Sequence, residues 1–393
     1  MSVIKYLTPL TTSYLNKQYQ LFGFTEEIDL TKFLPIRLTS IDVSIVNALR
    51  RIFNAEIPTF AFDLDNIKIL SNNSQYHNQV LKERVSFITI DINDLKTYDF
   101  DDIIFAICDP QEPTQPLRNN TNNILMVDIY QHLYIQQTST KLQIPTDQLL
   151  PYNSLLLTLN PGEQVHIIMK ATSGIGRQHI RWQSGVTMYK FETQFDSTDQ
   201  LETNEQLMNY IGYEQKQPKS IILTIESVGK LNSNSIVLRG IKILNKKLGK
   251  IKKSLLNYQN SNRISVEIDK NIPKLVKLKI INEDHTLGPV LEFACLNKLK
   301  ELIEITVQSL ERGMPTINSQ LELLLQSLSA YRKPHPLDNY IELNIRTPQT
   351  YDLIFPKGVY DEVEDPSLRL VILAIEDIQE LCSRLLEDAA ILS

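Results

Sequence analysis

The sequence is poor in cysteine and glycine, and each shortage closes off a class of function. Three cysteines, Cys108, Cys295 and Cys382, lie far apart in 393 residues and form no CxxC pair. They support neither a disulfide framework nor a four-thiolate zinc site, and read as small buried hydrophobes. Twelve glycines leave little material for glycine-rich phosphate loops. The one tempting stretch, SGIGRQHIRW (173–182), has no GK[ST] and no third Rossmann glycine. No run of about 18 apolar residues occurs, and the N-terminal MSVIKYLTPLTTSYLNK has no apolar core of signal-peptide length. The chain therefore reads as an intracellular protein without a membrane span. An excess of positive charge is missing too, since the formal net charge is −6. That balance does not suit a surface built to coat nucleic acid or an anionic membrane.

What is present is hydrophobic patterning in long, regular stripes. Val43, Val46, Leu49 and Phe53 recur at helical spacing behind Ser40 or Asp42, either of which can accept the first free amide hydrogens. Pro58 excludes helical geometry just before it, so the pattern predicts a helix over 43–55. Residues 65–217 alternate short β-rich runs (VSFITIDI, DIIFAIC, QVHIIMKA) with polar turns. A strand over 221–227 then turns at Gly229 into a long helix, where Ile241, Leu244, Leu248, Ile251 and Leu255 form an apolar seam. Lys246, Lys247, Lys250, Lys252 and Lys253 occupy the opposite faces and read as a solvated helix surface.

A second unit repeats that order. A strand in LVKLKII leads to the turn NEDHT and a helix with Leu287, Leu291, Cys295, Leu299 and Leu302 inward. The strand IELNIR and a last seam helix follow, with Leu368, Val371, Ile375, Ile378, Cys382, Leu385, Ala389 and Leu392 in three–four steps. The organisation expected is an extension (1–27), a discontinuous first unit (28–64 and 218–260), a mostly β insert (65–217), a linker (261–273) and a second unit (274–393). The fold class is α+β, with the two seam helices packed on each other as in an intramolecular dimer.

Chemistry-bearing residues concentrate at Glu283-Asp284-His285-Thr286 and at Lys333-Pro334-His335-Pro336. Asp284 or Thr286 can cap the following helix, whose positive dipole end favours acids there. Pro289 falls in its first turn and Gly288 permits a close approach. Capping accounts for the acids without catalysis, and His285 lacks the HxxxH or HxxE partners of a helical metal site. Two other readings stay open: a hydrolase using Asp284, His285 and His335, and a nucleic-acid-binding helix at Lys246–Lys253. The loop carrying Gly174, Gly176, Arg177, His179, Arg181 and Trp182 reads as an exposed protein-binding loop, because arginine beside tryptophan is typical of interface anchors. Arg50 and Arg51 cannot both face inward, so at least one is available to a carboxylate elsewhere.

Several of these stretches, in the same order, resemble the assembly subunits of multisubunit DNA-directed RNA polymerases. SIVNALRRIFNAEIPTFAFD is similar to the NxLRRxxxAEIPTxAxD helix of the α-like third-largest subunit. SGIGRQHIRWQSGV is similar to that family's KGIGKEHAKWSPV loop, and LTIESVGKL to its strand before the long helix. INEDHTLGPVLE and AYRKPHPLDNYIELNIRT resemble the EDHTLGNLL and YKIPHPL…LRIQT motifs of the small eleventh subunit. The resemblance, over about 33–392, implies two α-like dimerisation subdomains fused in one chain, the first interrupted by the β-rich insert. Such fusion is a habit of large cytoplasmic DNA viruses, so host cytoplasm and virion are the expected compartments, with the nucleus also open.

By resemblance, the protein is a non-catalytic platform that brings together the largest and second-largest polymerase subunits and meets other small subunits. It would touch DNA and RNA only through the complex, use no membrane and need no cofactor. Arg50, Arg51, Gly174, Gly176, Arg177, His179 and Trp182 would face the second-largest subunit, and reversing both arginines should leave the fold intact. Val43, Val46, Leu49, Phe53, Leu244, Leu248, Ile251, Leu255, Leu287, Leu291, Ile375, Ile378, Cys382 and Leu385 would form the dimer-like core. Glu283, Asp284, His285, Thr286, Gly288, Pro334, His335 and Pro336 match the small-subunit motifs. Many relatives carry a metal-binding cysteine cluster in the insert, where this chain has only Cys108, so no metal is expected. The segments 304–328 and 351–366 look longer than the family pattern.

Overall fold

The computed structural model describes residues 7–9, 32–91, 99–109, 111–141, 143–191, 220–269, 271–272, 274–310, 327–348, 360, 363 and 365–390, with backbone only over 7–9 and 306–310. Most of the extension 1–27, most of the segments 304–328 and 351–366, and Leu392 lie outside the described residues.

In chain order the strands are β1 (Leu7–Pro9), β2 (Phe33–Thr39), β3 (Pro58–Asn72), β4 (Ile103–Ile107), β5 (Leu117–Arg118), β6 (Leu125–Asp128), β7 (Leu133–Gln137) and β8 (Leu155–Leu159). They continue as β9 (Gln164–Ile175), β10 (Gly185–Phe191), β11 (Ser220–Ser227), β12 (Ile264–Ile268), β13 (Leu275–Ile281), β14 (Leu328–Arg332) and β15 (Tyr340–Arg346). The main helices are α1 (Val43–Ala55), α2 (Asn78–Ser86), α3 (Ser233–Leu256), α4 (Gly288–Leu310) and α5 (Pro366–Ala390). The result is a mixed helix-and-sheet protein.

Helix α1 starts where Asp42 accepts the Ser44 amide at 2.7 Å. It buries Val46, Leu49 and Phe53 as the spacing predicts, while Val43 is only partly covered and Ile45 and Ile52 complete the face. Four antiparallel sheets among the described residues follow from period-two alternation. One has the order β1-β2-β11-β10 and one β12-β13-β15-β14; between β2 and β10 in sequence come β3-β9-β4-β7, with β5 added on β9, and the two-stranded β6-β8. In β13 and β15 the buried residues alternate: Val276, Leu278 and Ile280 against Ile341, Leu343 and Ile345.

Helices α3 and α5 pack along one another, with α1 against α3 and α4 against α5. Leu244, Leu248, Ile251 and Leu255 on α3, and Ile375, Ile378, Cys382 and Leu385 on α5, are all buried in one continuous core. Each contributes roughly 1.5–3 kcal/mol before the entropy of ordering is subtracted. Phe53 reaches from α1 onto α3 at Gly240, where a Cβ would collide with its ring. That missing side chain is what lets the two helices approach. No described helix is long and apolar enough to cross a membrane.

Three expected boundaries move. The stretch expected to link the units contains β12, whose Ile264 pairs with Ile280 and Ile268 with Val276. Its Ile–Ser–Val–Glu–Ile alternation is that of an edge strand. β10 falls within the range assigned to the insert but belongs to the first sheet, running from Gly185↔Ser227 to Phe191↔Ile221. Leu7–Pro9, within the range expected to be an extension, adds an edge strand through Leu7↔Leu38 and Pro9↔Ile36. Each correction has one cause: strand pairing is decided by a partner distant in sequence.

Candidate assembly interface

The turn that follows β13 is where distant segments converge. Asn282 takes the left-handed conformation that asparagine tolerates (φ 62°) and donates its amide to Asn339 O at 2.8 Å. Asp284 then accepts the Thr286 amide on its side chain at 2.8 Å, while its carbonyl accepts Leu287 N and Gly288 N at 3.1 Å. Of the two residues able to cap α4, Asp284 does so, which frees the Thr286 hydroxyl for another partner. Gly288 lies under the Tyr331 ring.

Facing this turn are the last turns of α1, the loop after β9 and the middle of α3. The Arg51 guanidinium reaches Asp284 Oδ2 at 3.2 Å and donates from Nε to Thr286 Oγ1 at 3.1 Å. Arg177 pairs with the same Asp284 oxygen and reaches Glu56 Oε1 at 3.4 Å. Lys247 bridges Glu56 (2.7 Å) and Glu283 (3.2 Å), and the Thr286 hydroxyl donates to Glu56 at 3.4 Å. Three cations thus meet three carboxylates, with Glu56 and Glu283 buried.

The electrostatics follow from the geometry. Burial opposes ionisation of Asp284, but the Thr286 hydroxyl and amide and the charges of Arg177 and Arg51 outweigh it, bringing its carboxyl to about 2. For Glu283 burial wins. Its pKa rises despite the Lys247 charge, and the neighbouring Glu56 adds to the rise. The net stability that such a network adds is smaller than its ion pairs alone would give, because each charge also loses water.

The expected partner-facing residues are distributed unevenly. Arg50 folds onto Asn47 Oδ1 (3.0 and 3.2 Å) on the surface of α1. Arg51 is tied to the turn, so reversing its charge should set like charges against each other at Asp284, where the reading from sequence expects the fold to stay intact. The loop after β9 docks onto α1 through Arg177 N–Ala55 O at 2.8 Å, and a Cβ on Gly176 would sit 2.8 Å from Asn54 O. Trp182 is not an exposed anchor. It is 8% accessible, lies flat where Gly174 has no side chain, and donates its indole N–H to Thr172 O at 2.9 Å. Arg181 is buried as well, bonded to Phe62 O and Asp63 at 3.2 Å. The loop's outward side chains are half-exposed Arg177 and exposed Ile180, with exposed Phe87 beside the His179 ring at 6.0 Å between centroids.

His285 bonds Tyr331 through Nδ1, whereas His335, between Pro334 and Pro336, uses its Nδ1 to accept Leu337 N at 3.2 Å. The two histidines therefore serve separate turns instead of forming an acid–base relay with Asp284. Among the described residues no group of His, Cys, Asp and Glu is placed to hold a metal ion. All three cysteines are buried, and burial pushes the Cys295 and Cys382 thiols up to about 12. Sequence reasoning missed Glu56 and Lys247. Glu56 stood within AEIPT, and Lys247 was read as part of a solvated run that also included Lys252, now found paired with Glu376 at 2.7 Å.

Helices packed in pairs and backed by sheets thus meet at this polar cluster. Residues 36–248, more than half of the chain, match the model of the RNA polymerase Rpb3/Rpb11 dimerisation domain. The protein belongs to that family of DNA-directed RNA polymerase subunit domains. It is similar to the DNA-directed RNA polymerase II subunit rpb3 of Dictyostelium discoideum, 25% identical over 294 residues that cover 61% of this chain and 95% of that one. The RPB3 of Schizosaccharomyces pombe is 24% identical over 265 residues, covering 58% and 87%. The archaeal subunit Rpo3 of Pyrobaculum aerophilum is 24% identical over 163 residues, covering 40% and 58%.

Proposed function

We propose that this chain is the non-catalytic assembly platform of a DNA-dependent RNA polymerase, with third-subunit-like and eleventh-subunit-like halves fused in one polypeptide. The observation that carries this reading is the junction of the LRR helix with the EDHT turn. Arg51 and Arg177, from the half that matches the family model, close on Asp284 and Thr286 of the other. The α3–α5 seam gives the same two halves an apolar interface. Templating is then mechanical: the core forms first, and its outer faces gather the two large subunits, whose sites carry the nucleotide chemistry.

The face offered to the second-largest subunit consists of Arg50, the exposed part of Arg177, His179 and Ile180, with Gly174, Gly176 and Trp182 shaping the loop from within. The turn at Pro334–Pro336 lies toward the largest subunit. Compartment follows that of the polymerase, the host cytoplasm and virion for a viral enzyme.

The deciding experiment is purification of the tagged full chain from its native cell with quantitation of co-purifying proteins. Two large polymerase subunits in near-equal amounts are expected, and a protein that elutes alone overturns the proposal. Arg50→Glu tests the face without disturbing the clamp, and should weaken recovery of the second-largest subunit while the melting temperature is kept. Pairing of the halves is tested by a protease site between Gln259 and Asn260. The two fragments should stay together on gel filtration after cleavage; their separation refutes it.

A further inference from the structure

Helix α3 carries lysines at 242, 246, 247, 250, 252 and 253. Two are held by carboxylates: Lys247 by Glu56 and Glu283, and Lys252 by Glu376. Lys242, Lys246, Lys250 and Lys253 are exposed, and among the described residues none of them is ion-paired. Steps of four, four and three place them on one face along about 16 Å of helix, at 1.5 Å per residue.

These four lysines border a groove between α3 and α5, whose remaining lining is Asn245, Gly249 and Gln379. Among the described residues no carboxylate lines it. Gly249 deepens the groove at its middle, since Gln379 Nε2 stands 3.4 Å from where a Cβ would be. Gln379 donates to Asn245 Oδ1 at 2.9 Å, which fixes the floor. Like charges four residues apart destabilise an isolated helix. Four unpaired cations in a row also run against a chain whose net charge is −6.

We infer that this groove is a docking site for an acidic polypeptide segment lying along α3. In an extended segment every second side chain points the same way, so carboxylates recur about every 6.6 Å. Lysines four residues apart on a helix recur about every 6 Å, and the two rows match over the length of the groove. A polypeptide fits better than nucleic acid. Among the described residues the lining has neither arginine to fork a phosphate nor an aromatic ring to stack a base. The inference stands on this charge geometry and does not depend on the polymerase reading.

The test uses the full chain and a fluorescein-labelled peptide of about ten residues alternating Glu and Ser, followed by fluorescence anisotropy. A Lys/Ser peptide and an oligothymidylate of similar length serve as comparisons. Saturable binding of the acidic peptide is expected, weakening as salt is raised. Lys246→Glu with Lys250→Glu should reduce its affinity about tenfold or more, with the circular dichroism melt unchanged. Lys68→Glu with Lys170→Glu, a control pair on β3 and β9, should leave it within about twofold. No saturable binding, or an equal loss in the control pair, overturns the inference. Tighter binding of the oligothymidylate than of the acidic peptide at the same salt also overturns it, and makes the groove a nucleic-acid site instead.

Discussion

Replacing Asp284 by asparagine removes one charge from the junction and little else. Asparagine caps a helix as well as aspartate, so the start of α4 survives and the loss reports the carboxylate charge, which the Thr286 hydroxyl and amide stabilise first and the Arg177 and Arg51 charges after them. The Asp284 carboxyl moves from an ordinary 3.8 to about 2 on folding. At about 1.4 kcal/mol per pH unit this corresponds to roughly 2.5 kcal/mol. Arg177 is half-exposed, and solvent screening brings the expected cost of Asp284→Asn to about 2 kcal/mol at neutral pH. Because the folded carboxyl titrates lower than the unfolded one, its contribution is complete above about pH 4 and is lost as pH falls through about 2. Urea unfolding of both proteins from about pH 7 down to about pH 3 should therefore show a gap that narrows as acid is added. An equal gap at every pH would falsify the electrostatic account and leave only a geometric role for the side chain. No gap at all would mean that the cluster does not hold the junction.

Further outcomes follow from the packing. Lys230, buried against the Arg181 carbonyl, has its pKa lowered by burial to about 8. Wild-type stability relative to Lys230→Met should rise by about 3 kcal/mol between about pH 8 and 10.5, where only the unfolded lysine still holds its proton; parallel denaturation profiles over that range would refute this. Gly240→Ala should destabilise by about 1–2 kcal/mol, because the clash with Phe53 outweighs the better helix propensity. Gly249→Ala, with only Gln379 at 3.4 Å, should stabilise by about 0.5–1 kcal/mol, and thermal melts that rank the two variants otherwise count against the packing argument. Trp182→Ala should cost about 3–5 kcal/mol as a core truncation. Wild-type tryptophan emission, from the only tryptophan in the chain, should be blue-shifted and should move to the red on unfolding.

Periodicity made the helices legible. The seam residues of α3 and α5 step three and four apart because each helix meets one apolar neighbour along its length, and that regularity is written locally in the sequence. The Asp42 cap and the alternation of β13 and β15 are local in the same way. What escaped depends on contacts distant in sequence. Trp182 looked like a surface anchor because its neighbours Arg177, His179 and Arg181 are polar, yet it fills the space that Gly174 leaves on the adjacent strand. β10 joins the first sheet only through β11, across a long intervening segment. Lys247 was indistinguishable from its solvated neighbours until the fold put Glu56 and Glu283 beside it. The turn at 283–286 was half legible: its capping role follows from the helix it begins, but its second role needs Arg51, 233 residues away from Asp284.

That second role explains why a charged cluster suits this position better than more hydrophobic surface. The apolar stripes of α3 and α5 supply the attraction, but stripes with a three–four repeat tolerate sliding by one turn, since the pattern nearly repeats. A shift of one helical turn, about 5.4 Å, would take Glu283 away from Lys247 and Asp284 away from Arg51 and Arg177, leaving carboxylates of the second unit without their partners. Removing one partner of such a buried pair costs about 3–5 kcal/mol, enough to disfavour the slipped arrangement by a factor of about a hundred or more. On the proposed reading, tethering the halves in one chain already raises their effective concentration to the millimolar range. Affinity between them is then secured by connectivity and burial. The polar cluster is left to fix the register in which the outer faces are presented to the large subunits.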